Sequence, residues 1–191
     1  MENIFVHETS EIDRNCSIGE GTKIWHFCHI MEKSTIGKNC NIGQNVVVSP
    51  NVSIGNNVKI QNNVSVYTGV EIQNNVFVGP SVVFTNIKNP RSEINRRKKY
   101  IKTLVKEGAT LGANSTIICG VSIGKYALIG AGTVVTKDIK DYALVIGNPG
   151  KQVGWISEFG HKLEFSAGSA LCSESGVKYI LANEEVKKCI S

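Results

Sequence analysis

The feature that most constrains the fold is an apolar residue that recurs at every sixth position. The repeat runs without a gap from Val6 to Phe84 and resumes from Val105 to Val135. Neither an α-helix, with its period of 3.6, nor a strand, with its period of 2, gives a strict six over this length. A fixed short repeat predicts a solenoid, and the hexapeptide is a β-helix repeat. The large apolar positions are Val6, Ile12, Ile18, Ile24, Ile30, Ile36, Ile42, Val48, Ile54, Ile60, Val66, Ile72, Val78, Phe84, Val105, Leu111, Ile117, Ile123, Ile129 and Val135.

A second rule accompanies the first, because a small or β-branched residue follows four positions after each large one. Gly often comes directly after the large residue, and Asn pairs such as Asn56-Asn57 and Asn62-Asn63 lie between repeats. Both residue types tolerate a left-handed φ, which suits tight corners. Each hexapeptide is therefore predicted to be one very short strand, and three faces close a coil of about 18 residues. The sequence thus predicts an all-β parallel β-helix.

Composition and charge exclude several classes of protein. No stretch approaches the ~20 apolar residues that span a bilayer, and the first residues lack the apolar segment of a signal peptide. We therefore expect no membrane insertion and a reducing cytoplasm as the compartment. Cys16, Cys28 and Cys40 occupy small inward positions twelve residues apart, so they are predicted to lie on three different faces as core residues. The net charge of +5 is mild.

The repeat is interrupted once, and the interruption predicts an extruded loop. Phe84 and Val105 are 21 positions apart, which is not a multiple of six. We expect a β-helix domain over residues 1–150, with a loop at about 87–102, and a C-terminal extension over 151–191 that contains a possible β-hairpin around Ser175-Gly176. Residues 155–165 could be a short helix or a strand, and residues 141–149 should cap the open end of the coil stack.

The loop is basic, since seven Lys or Arg residues between 88 and 102 are opposed only by Glu93. Such a cluster is either a solvated loop or a site for phosphates or a carboxylate. Nucleic acid is not the expected partner, because the segment offers no aromatic residue for base stacking beyond Tyr100.

The histidines and cysteines do not form a convincing metal-binding set. Hexapeptide carbonic anhydrases need three histidines, and within the repeats this chain offers only His7, His26 and His29. Cys172 begins half a zinc knuckle, with only the distant Cys189 as a further candidate ligand. No metal is therefore expected.

Several motifs resemble the hexapeptide acyltransferases, and in particular the nucleotide-linked 3-amino-sugar N-acetyltransferases. The matching stretches are FTNIKNPRSEI at 84–94, GATLGANSTI at 108–117, GAG at 130–132, KD at 137–138 and YALVIGNP at 142–149. The tail, GWISEFGH at 154–161 and CSESG at 172–176, is similar to a narrower group that acetylates UDP-2-acetamido-3-amino-2,3-dideoxyglucuronate for surface polysaccharides such as lipopolysaccharide. That group has Pro where this chain has Ser173. The resemblance implies that the β-helix is left-handed.

The resemblance implies an acetyl-CoA-dependent N-acetyltransferase with Asn86 at the reaction centre. The coils after the loop contain no histidine, and in this family the thiolate leaving group is thought to take the proton from the amine. The Asn86 amide would orient the amine or donate a hydrogen bond to the developing oxyanion. The competing interpretation is that Asn86 only forms a left-handed corner, as many Asn residues of this chain would.

The resemblance also suggests residues that bind the two substrates. Coenzyme A would lie in a groove between two subunits of a homotrimer. The positions that match the family's cofactor-binding residues are Ala113, Ala131, Gly132 and Lys137. Arg91 of the basic loop is expected to bind the sugar nucleotide.

His29 is placed by geometry. It lies three coils from Phe84, or about 14 Å at the usual strand spacing. It is therefore predicted to contact the nucleotide end of the substrate or a neighbouring subunit, and not the amine.

Two alternatives remain open. One is a dTDP-3-amino-3,6-dideoxyhexose N-acetyltransferase, which acts on a sugar without a carboxylate. The other is a non-catalytic β-helix that serves as a scaffold subunit.

Overall fold

The computed structural model describes residues 3–97 and 99–189, and it confirms the predicted all-β hexapeptide β-helix, a parallel solenoid of about eight turns. Its strands are mostly two residues long, because each hexapeptide must turn a corner before the next face begins. The strands are β1 (Phe5–Val6), β2 (Glu11–Ile12), β3 (Ser17–Ile18), β4 (Lys23–Ile24), β5 (His29–Ile30), β6 (Thr35–Ile36), β7 (Asn41–Ile42), β8 (Val47–Val48), β9 (Ser53–Ile54), β10 (Lys59–Ile60), β11 (Ser65–Val66), β12 (Val70–Ile72), β13 (Phe77–Val78), β14 (Val83–Phe84), β15 (Thr103–Val105), β16 (Thr110–Leu111), β17 (Thr116–Ile117), β18 (Ser122–Ile123), β19 (Leu128–Ile129), β20 (Val134–Val135), β21 (Ala143–Ile146), β22 (Lys151–Trp155), β23 (Ser169–Leu171), β24 (Lys178–Ala182) and β25 (Glu185–Lys188).

Three sheets form the walls of the solenoid. Sheet A has the order β1-β4-β7-β10-β13-β16-β19-β21-β22, sheet B has β2-β5-β8-β11-β14-β17-β20, and sheet C has β3-β6-β9-β12-β15-β18. All neighbours pair in parallel except β21 and β22, which pair antiparallel. The chain therefore passes from sheet A to B to C in every coil. We call the three corners the A–B edge, the B–C edge and the C–A edge.

The large residues of the repeat point inward and form one continuous core. Ile30, Ile60 and Ile117 are fully buried, and the single large aromatic residue of the series, Phe84, is 1% exposed. The first coil departs from the expectation, because Val6 is 37% exposed and Ile18 is only half-buried. The physical reason is that no coil lies beneath them to cover their side chains.

The cysteines of the repeats occupy core positions, as the spacing predicts. The thiol of Cys28 donates to the carbonyl oxygen of Gly43 at 2.9 Å, and that of Cys40 donates to Gly55 at 3.1 Å. Burial raises the pKa of both thiols above the ordinary value. They are therefore neutral, hydrogen-bonded core residues. Every cysteine of the described residues is a free thiol.

The C-terminal residues form a separate antiparallel sheet, β23-β24-β25. Strands β23 and β24 are a hairpin whose last pair joins Leu171 and Lys178, and β25 is a third strand that the sequence analysis does not anticipate. Residues 156–165 contain turns and an isolated bridge between Ile156 and Lys162, in place of a helix. Strand β22 turns back on β21 and so covers the end of sheet A.

Tyrosines dock this C-terminal sheet on the C–A edge. The rings of Tyr126 and Tyr142 stack with centroids 5.6 Å apart, and Tyr142 meets the fully buried Tyr179 edge-on at 5.7 Å. The Tyr142 hydroxyl donates to Glu158 Oε1 at 3.1 Å, and the Lys188 ammonium donates to Glu158 Oε2 at 2.7 Å. Burial and the Glu158 carboxylate raise the pKa of Tyr142, which keeps its hydroxyl protonated.

Candidate active site

The B–C edge brings two predicted site residues onto one line. Asn86 follows β14, and the pairing of β14 with β17 and of β17 with β20 places Cys119 and then Lys137 at the same position of the next two coils. Asn86 and Lys137 are therefore about 10 Å apart along the stack, at about 4.8 Å per coil. Lys137 is exposed, Asn86 is half-buried and Cys119 is buried.

The conformation of Asn86 differs from that of the corner asparagines. Asn57, Asn63 and Asn75 have φ values of 53°, 61° and 60°, whereas Asn86 does not have a positive φ. Those three asparagines come three residues after their core residue, whereas Asn86 comes two residues after Phe84. The asparagines at its own repeat position also lack a positive φ, and their side-chain oxygens each accept a backbone N–H of the preceding coil; they are Asn56, Asn62 and Asn74. Asn86 is therefore not a left-handed corner residue, and its hydrogen bonding is what must set it apart from its repeat equivalents.

The Asn86 amide also has no hydrogen-bond partner among the described residues. Its neighbour Thr85 accepts a hydrogen bond from the Cys119 N–H at 2.9 Å, and Thr68, one coil below, donates to the Pro50 carbonyl at 2.8 Å. Among the described residues no hydrogen bond involves the Asn86 side chain, although its backbone oxygen accepts the Ile101 N–H at 2.9 Å. The amide is thus held at the root of the loop with its donor and acceptor available to a ligand.

The loop over residues 85–102 leaves and returns at the same corner. The Asn86–Ile101 hydrogen bond closes its root, and the Gly120 N–H donates to the Lys102 carbonyl at 3.1 Å. Arg91 is exposed, and its guanidinium donates to the Pro90 carbonyl at 3.0 Å. The predicted sugar-binding arginine therefore lies five residues after Asn86 in the loop that leaves this edge, and the described residues of that loop form no strand before β15.

Lys88 is a residue near the candidate site that the sequence analysis did not select. A Cβ placed on Gly120 would lie 3.6 Å from Lys88 Nζ and 3.1 Å from the Ile101 side chain, and Gly120 has a φ of +91°. The bare glycine therefore leaves room for the lysine beside the corner that follows Cys119. The basic run was the available signal, but the sequence could not say which of its cations turns back to the coil stack.

The predicted cofactor residues Ala113, Ala131 and Gly132 lie together on the A–B edge. The Gly132 N–H donates to the Ala113 carbonyl at 2.8 Å, which links the two successive coils. Gly132 has a φ of +69°, and no atom lies within 4 Å of the position a Cβ would take. Ala131 and Gly132 are exposed. This edge therefore presents open backbone to which a thin ligand can approach closely.

His29 lies on the outer side of sheet B, three strands from β14 in the order β5-β8-β11-β14. Its Nε2 is 2.9 Å from Asp13 Oδ1, and Asp13 Oδ2 accepts the Glu32 N–H at 3.2 Å. Glu11 completes a group whose donor atoms lie within 4.8 Å of one another and could hold a metal ion. Within the described residues, the imidazole and the Asp13 carboxylate are hydrogen-bonded to each other.

The structure therefore assembles the predicted site in two halves. Asn86 and Lys137 lie on the B–C edge, whereas Ala113, Ala131 and Gly132 lie on the A–B edge, at the opposite margin of sheet B. One chain does not bring the two halves together.

These features define a class of protein, the hexapeptide transferases. The family model described as bacterial transferase hexapeptide (six repeats) matches residues 15–50, 51–86 and 102–137, which together make up more than half of the chain. The chain belongs to this family.

Individual curated relatives align with only part of this chain. A dTDP-3-amino-3,6-dideoxy-alpha-D-galactopyranose 3-N-acetyltransferase of Aneurinibacillus thermoaerophilus is 44% identical over 93 residues, which are 49% of this chain and 48% of the relative. A bifunctional protein GlmU of Thermotoga maritima is 44% identical over 61 residues, or 31% of this chain and 14% of the relative. The chain thus spans about half, or much less, of the length of these curated relatives.

Solved structures share the architecture. A galactoside acetyltransferase in complex with coenzyme A is 25% identical, with a TM-score of 0.59 over 71% of this chain and 72% of that one. A hexapeptide transferase family protein from Anaplasma phagocytophilum, 21% identical, has a TM-score of 0.58 over 78% of this chain and 81% of that one, which shows the fold alone. Among the residues that the structure describes, no helix is sufficiently long and apolar to cross a membrane.

Proposed function

We propose that this chain is an acetyl-CoA-dependent N-acetyltransferase that acetylates the 3-amino group of a nucleotide-linked amino sugar. The observation that carries the proposal is the state of Asn86. Its amide has neither a left-handed backbone nor a hydrogen-bond partner among the described residues to account for it, and it stands where a loop leaves the coil stack. The relative that is 44% identical over 93 residues is a 3-N-acetyltransferase, which supports the same reaction class.

The chemistry requires few groups from the protein. The neutral amine attacks the thioester carbonyl carbon, a tetrahedral oxyanion forms, and the C–S bond breaks to release coenzyme A thiolate. The proton lost by the amine nitrogen is taken up by that thiolate, so acetyl transfer balances without a protein base. Asn86 contributes orientation of the amine or a hydrogen bond to the oxyanion, since an amide cannot act as a base at neutral pH.

Acetyl-CoA is proposed to lie along the coils above Asn86. Open backbone at Ala131 and Gly132 and the half-buried Ala113 suit the pantetheine chain, and the exposed Lys137 ammonium suits a phosphate. Because these groups occupy both margins of sheet B, a ligand that meets all of them needs a second copy of the chain.

A homotrimer with sites between its subunits is proposed for this reason. The outer side of sheet B supports it, because the outward residue is a valine on alternate coils, at Val47, Val83 and Val134, with the small polar residues Ser65 and Thr116 between them. Val83 is 49% exposed in the single chain. Packing these faces around a threefold axis would cover apolar surface and bring the A–B edge of one subunit to the B–C edge of the next.

We propose UDP-2-acetamido-3-amino-2,3-dideoxyglucuronate as the sugar, within surface polysaccharide biosynthesis. The basic loop supports an acidic substrate, since Arg91 and Lys88 can bind a diphosphate or a carboxylate. A dTDP-3-amino-3,6-dideoxyhexose is the second candidate, because the 44% identical relative carries that activity in its name.

The test is an assay of coenzyme A thiol release with the purified chain, acetyl-CoA and each of the two sugar nucleotides. With acetyl-CoA alone, thiol release should stay at background, and kcat/KM should be higher for the uronate than for the dTDP sugar. If neither sugar nucleotide raises thiol release above background, the proposed activity is refuted. If acetyl-CoA also failed to raise the unfolding temperature, the non-catalytic scaffold would be the better interpretation.

A further inference from the structure

The A–B edge of the first two coils carries an exposed aromatic cluster that the proposed reaction does not use. Phe27 is 58% exposed, and the neighbouring His26 ring stacks on His7 with centroids 3.5 Å apart. The His26 and Phe27 centroids are 6.1 Å apart. Phe5 and Trp25 form a second exposed pair nearby, at 5.3 Å. We call Phe27 together with His7 and His26 the aromatic corner.

Phe27 occupies a backbone conformation that is costly for its residue type. Its φ is 56°, in the left-handed region, where the next coils of the same edge place Asn45 and Asn63. A bulky residue is a rare outlier there, and such outliers are found where function requires them.

The other two aromatic residues with a left-handed φ show what the conformation achieves. Tyr126 and Tyr142 have φ values of 53° and 60° on the C–A edge. Their rings stack on each other and hold Tyr179 of the C-terminal sheet. In both cases an aromatic ring projects from a coil corner to hold a partner. Phe27 projects in the same way, yet its ring remains largely exposed in the described chain.

Hydrogen bonds fix the aromatic corner in advance. Thr9 Oγ1 accepts the Phe27 N–H at 3.0 Å and lies 3.0 Å from His7 Nδ1. The Thr9 hydroxyl has one proton, and His7 Nδ1 also receives the Thr9 N–H at 3.3 Å. The hydroxyl therefore donates to Nδ1, which sets the ring of His7 against His26. A ligand that stacks here would find the rings already ordered.

Residue type changes in a regular way along the same edge. Backbone hydrogen bonds define one column of left-handed positions along this edge. In each coil the left-handed residue donates its N–H to the coil before it, as the Asn45 N–H does to the His26 carbonyl at 3.0 Å. The column reads Phe27, Asn45, Asn63, Ser81, Asn114 and Gly132. An aromatic ring stands at one end, amides follow, and the proposed coenzyme A position stands at the other end.

The spacing along this column matches a sugar nucleotide. Ser81 precedes β14 and so lies in the coil that ends at Asn86, and Phe27 lies three coils below it. Three coils correspond to about 14 Å. With acetyl-CoA above Asn86, the substrate must extend below it, and its ribose and diphosphate would separate the amino sugar from the nucleobase by a comparable length.

We propose that the aromatic corner stacks the nucleobase of the nucleotide-sugar substrate, with the Asn45–Asn63 amides beside its ribose and diphosphate. This inference rests on the proposed function and its trimer, because it takes the position of the amine from Asn86 of the partner subunit, whose B–C edge would meet this A–B edge. Stacking on a pre-ordered ring tolerates any base, since every base has a π-face. His29 lies on the same coil as Phe27, which is consistent with its predicted place at the nucleotide end.

The test uses Phe27→Asn, because asparagine is the residue that this column itself places at a left-handed φ. The variant should therefore fold at least as stably as the wild type while it lacks the ring. Free UDP and dTDP are titrated into the full chain by calorimetry. We expect affinity for both to fall about tenfold in Phe27→Asn and to be largely restored in Phe27→Trp.

Phe159→Ala is the matched control, since Phe159 is 56% exposed but lies on the C-terminal extension beyond the C–A edge. Its affinity for UDP should equal that of the wild type. Unchanged affinity in Phe27→Asn would overturn the proposal. So would a loss of affinity that appears only together with a change in oligomeric state by sedimentation, because Phe27 would then be a contact between subunits.

Thiol release separates this inference from the proposed activity. If the wild type transfers acetyl groups but Phe27→Asn has an unchanged KM for the sugar nucleotide, the stacking site is refuted and the activity stands. If the wild type releases no thiol but binds UDP in a manner that depends on Phe27, the activity is refuted and the base site stands.

Discussion

Replacement of Asn86 by alanine is the most informative perturbation of the proposed site. Because no hydrogen bond among the described residues uses its side chain, removal of the amide leaves no polar group of these residues without a partner. The substitution should therefore change the free energy of unfolding by less than about 0.5 kcal/mol. The effect on catalysis should be much larger. One hydrogen bond to a charged or developing oxyanion is worth about 1.5–3 kcal/mol, which corresponds to a fall in kcat/KM of about 10- to 150-fold.

The isosteric Asn86→Asp variant separates the two possible roles of the amide. Aspartate retains an acceptor for the amine but loses the N–H that would bind the oxyanion. If Asn86 orients the amine, Asp should be more active than Ala; if it stabilises the oxyanion, Asp should be at least as impaired as Ala, because a carboxylate repels the developing charge.

The assay is initial-rate thiol release at saturating acetyl-CoA, with urea unfolding of each variant as the stability readout. Asn57→Ala serves as the control, since Asn57 has a left-handed φ of 53° and donates to Asn75 at 2.8 Å. That variant should lose stability and keep its rate. Activity of Asn86→Ala within twofold of the wild type would refute the reasoning, and the corner amide would have no part in the reaction.

Three further predictions concern binding, the core and the C-terminal sheet. Arg91→Ala should raise the KM for the sugar nucleotide about fivefold, whereas the control Arg14→Ala, on the first coil, should leave it unchanged. If the KM of Arg91→Ala equals that of Arg14→Ala, Arg91 does not bind the substrate. Ile60→Ala should cost about 2–5 kcal/mol in urea unfolding because Ile60 is fully buried in the middle of the stack. Ile18→Ala should cost about half as much, since no coil covers its side chain, and equal costs would contradict this account of the open end. The raised pKa of Tyr142 means that the fold binds the phenol proton more tightly than the unfolded chain does. Stability should therefore be complete below the ordinary tyrosine pKa near 10 and fall as the pH rises above it, with a shallower fall in Tyr142→Phe; parallel curves for the two proteins would exclude this residue as the cause.

The interior of this fold could be predicted from the sequence because burial imposes the period directly. Every coil from Ile24 onward places its sixth residue inside, and a polar or charged residue there would lack a partner. The first coil could not be judged in the same way, since Val6 and Ile18 obey the pattern but have nothing beneath them. A periodic pattern records which side of a strand faces the axis, and the number of neighbouring coils decides how much of that side is covered.

The candidate site was less predictable, because edge positions are not constrained by the core. Asn86 and Asn56 both come two residues after a core residue and neither has a positive φ, so only their hydrogen bonds separate them. The Asn56 side-chain oxygen accepts the Lys38 N–H, whereas no hydrogen bond among the described residues involves the Asn86 side chain. Lys88 could not be selected from its neighbours, since its approach to Gly120 depends on how the loop returns to the stack. The third C-terminal strand was missed for a related reason: Glu185–Lys188 contains one buried residue, Val186, which is too short a pattern to identify a strand.

The coil edges follow a rule of their own, and two residues of the proposed groove have side chains that this rule does not explain. Most left-handed corners of this chain are asparagine or glycine, which adopt that conformation at low cost. Asn86 shares its repeat position with Asn56, Asn62 and Asn74, whose side-chain oxygens accept backbone N–H groups, but no hydrogen bond among the described residues involves its own side chain. Phe27 has the left-handed φ with a bulky ring that remains largely exposed. Neither side chain is accounted for by the packing or hydrogen bonds of the described residues, and we infer that a ligand favours both. Because the two residues lie three coils apart, on the two edges that a trimer would bring together, one extended ligand in the groove between subunits accounts for both.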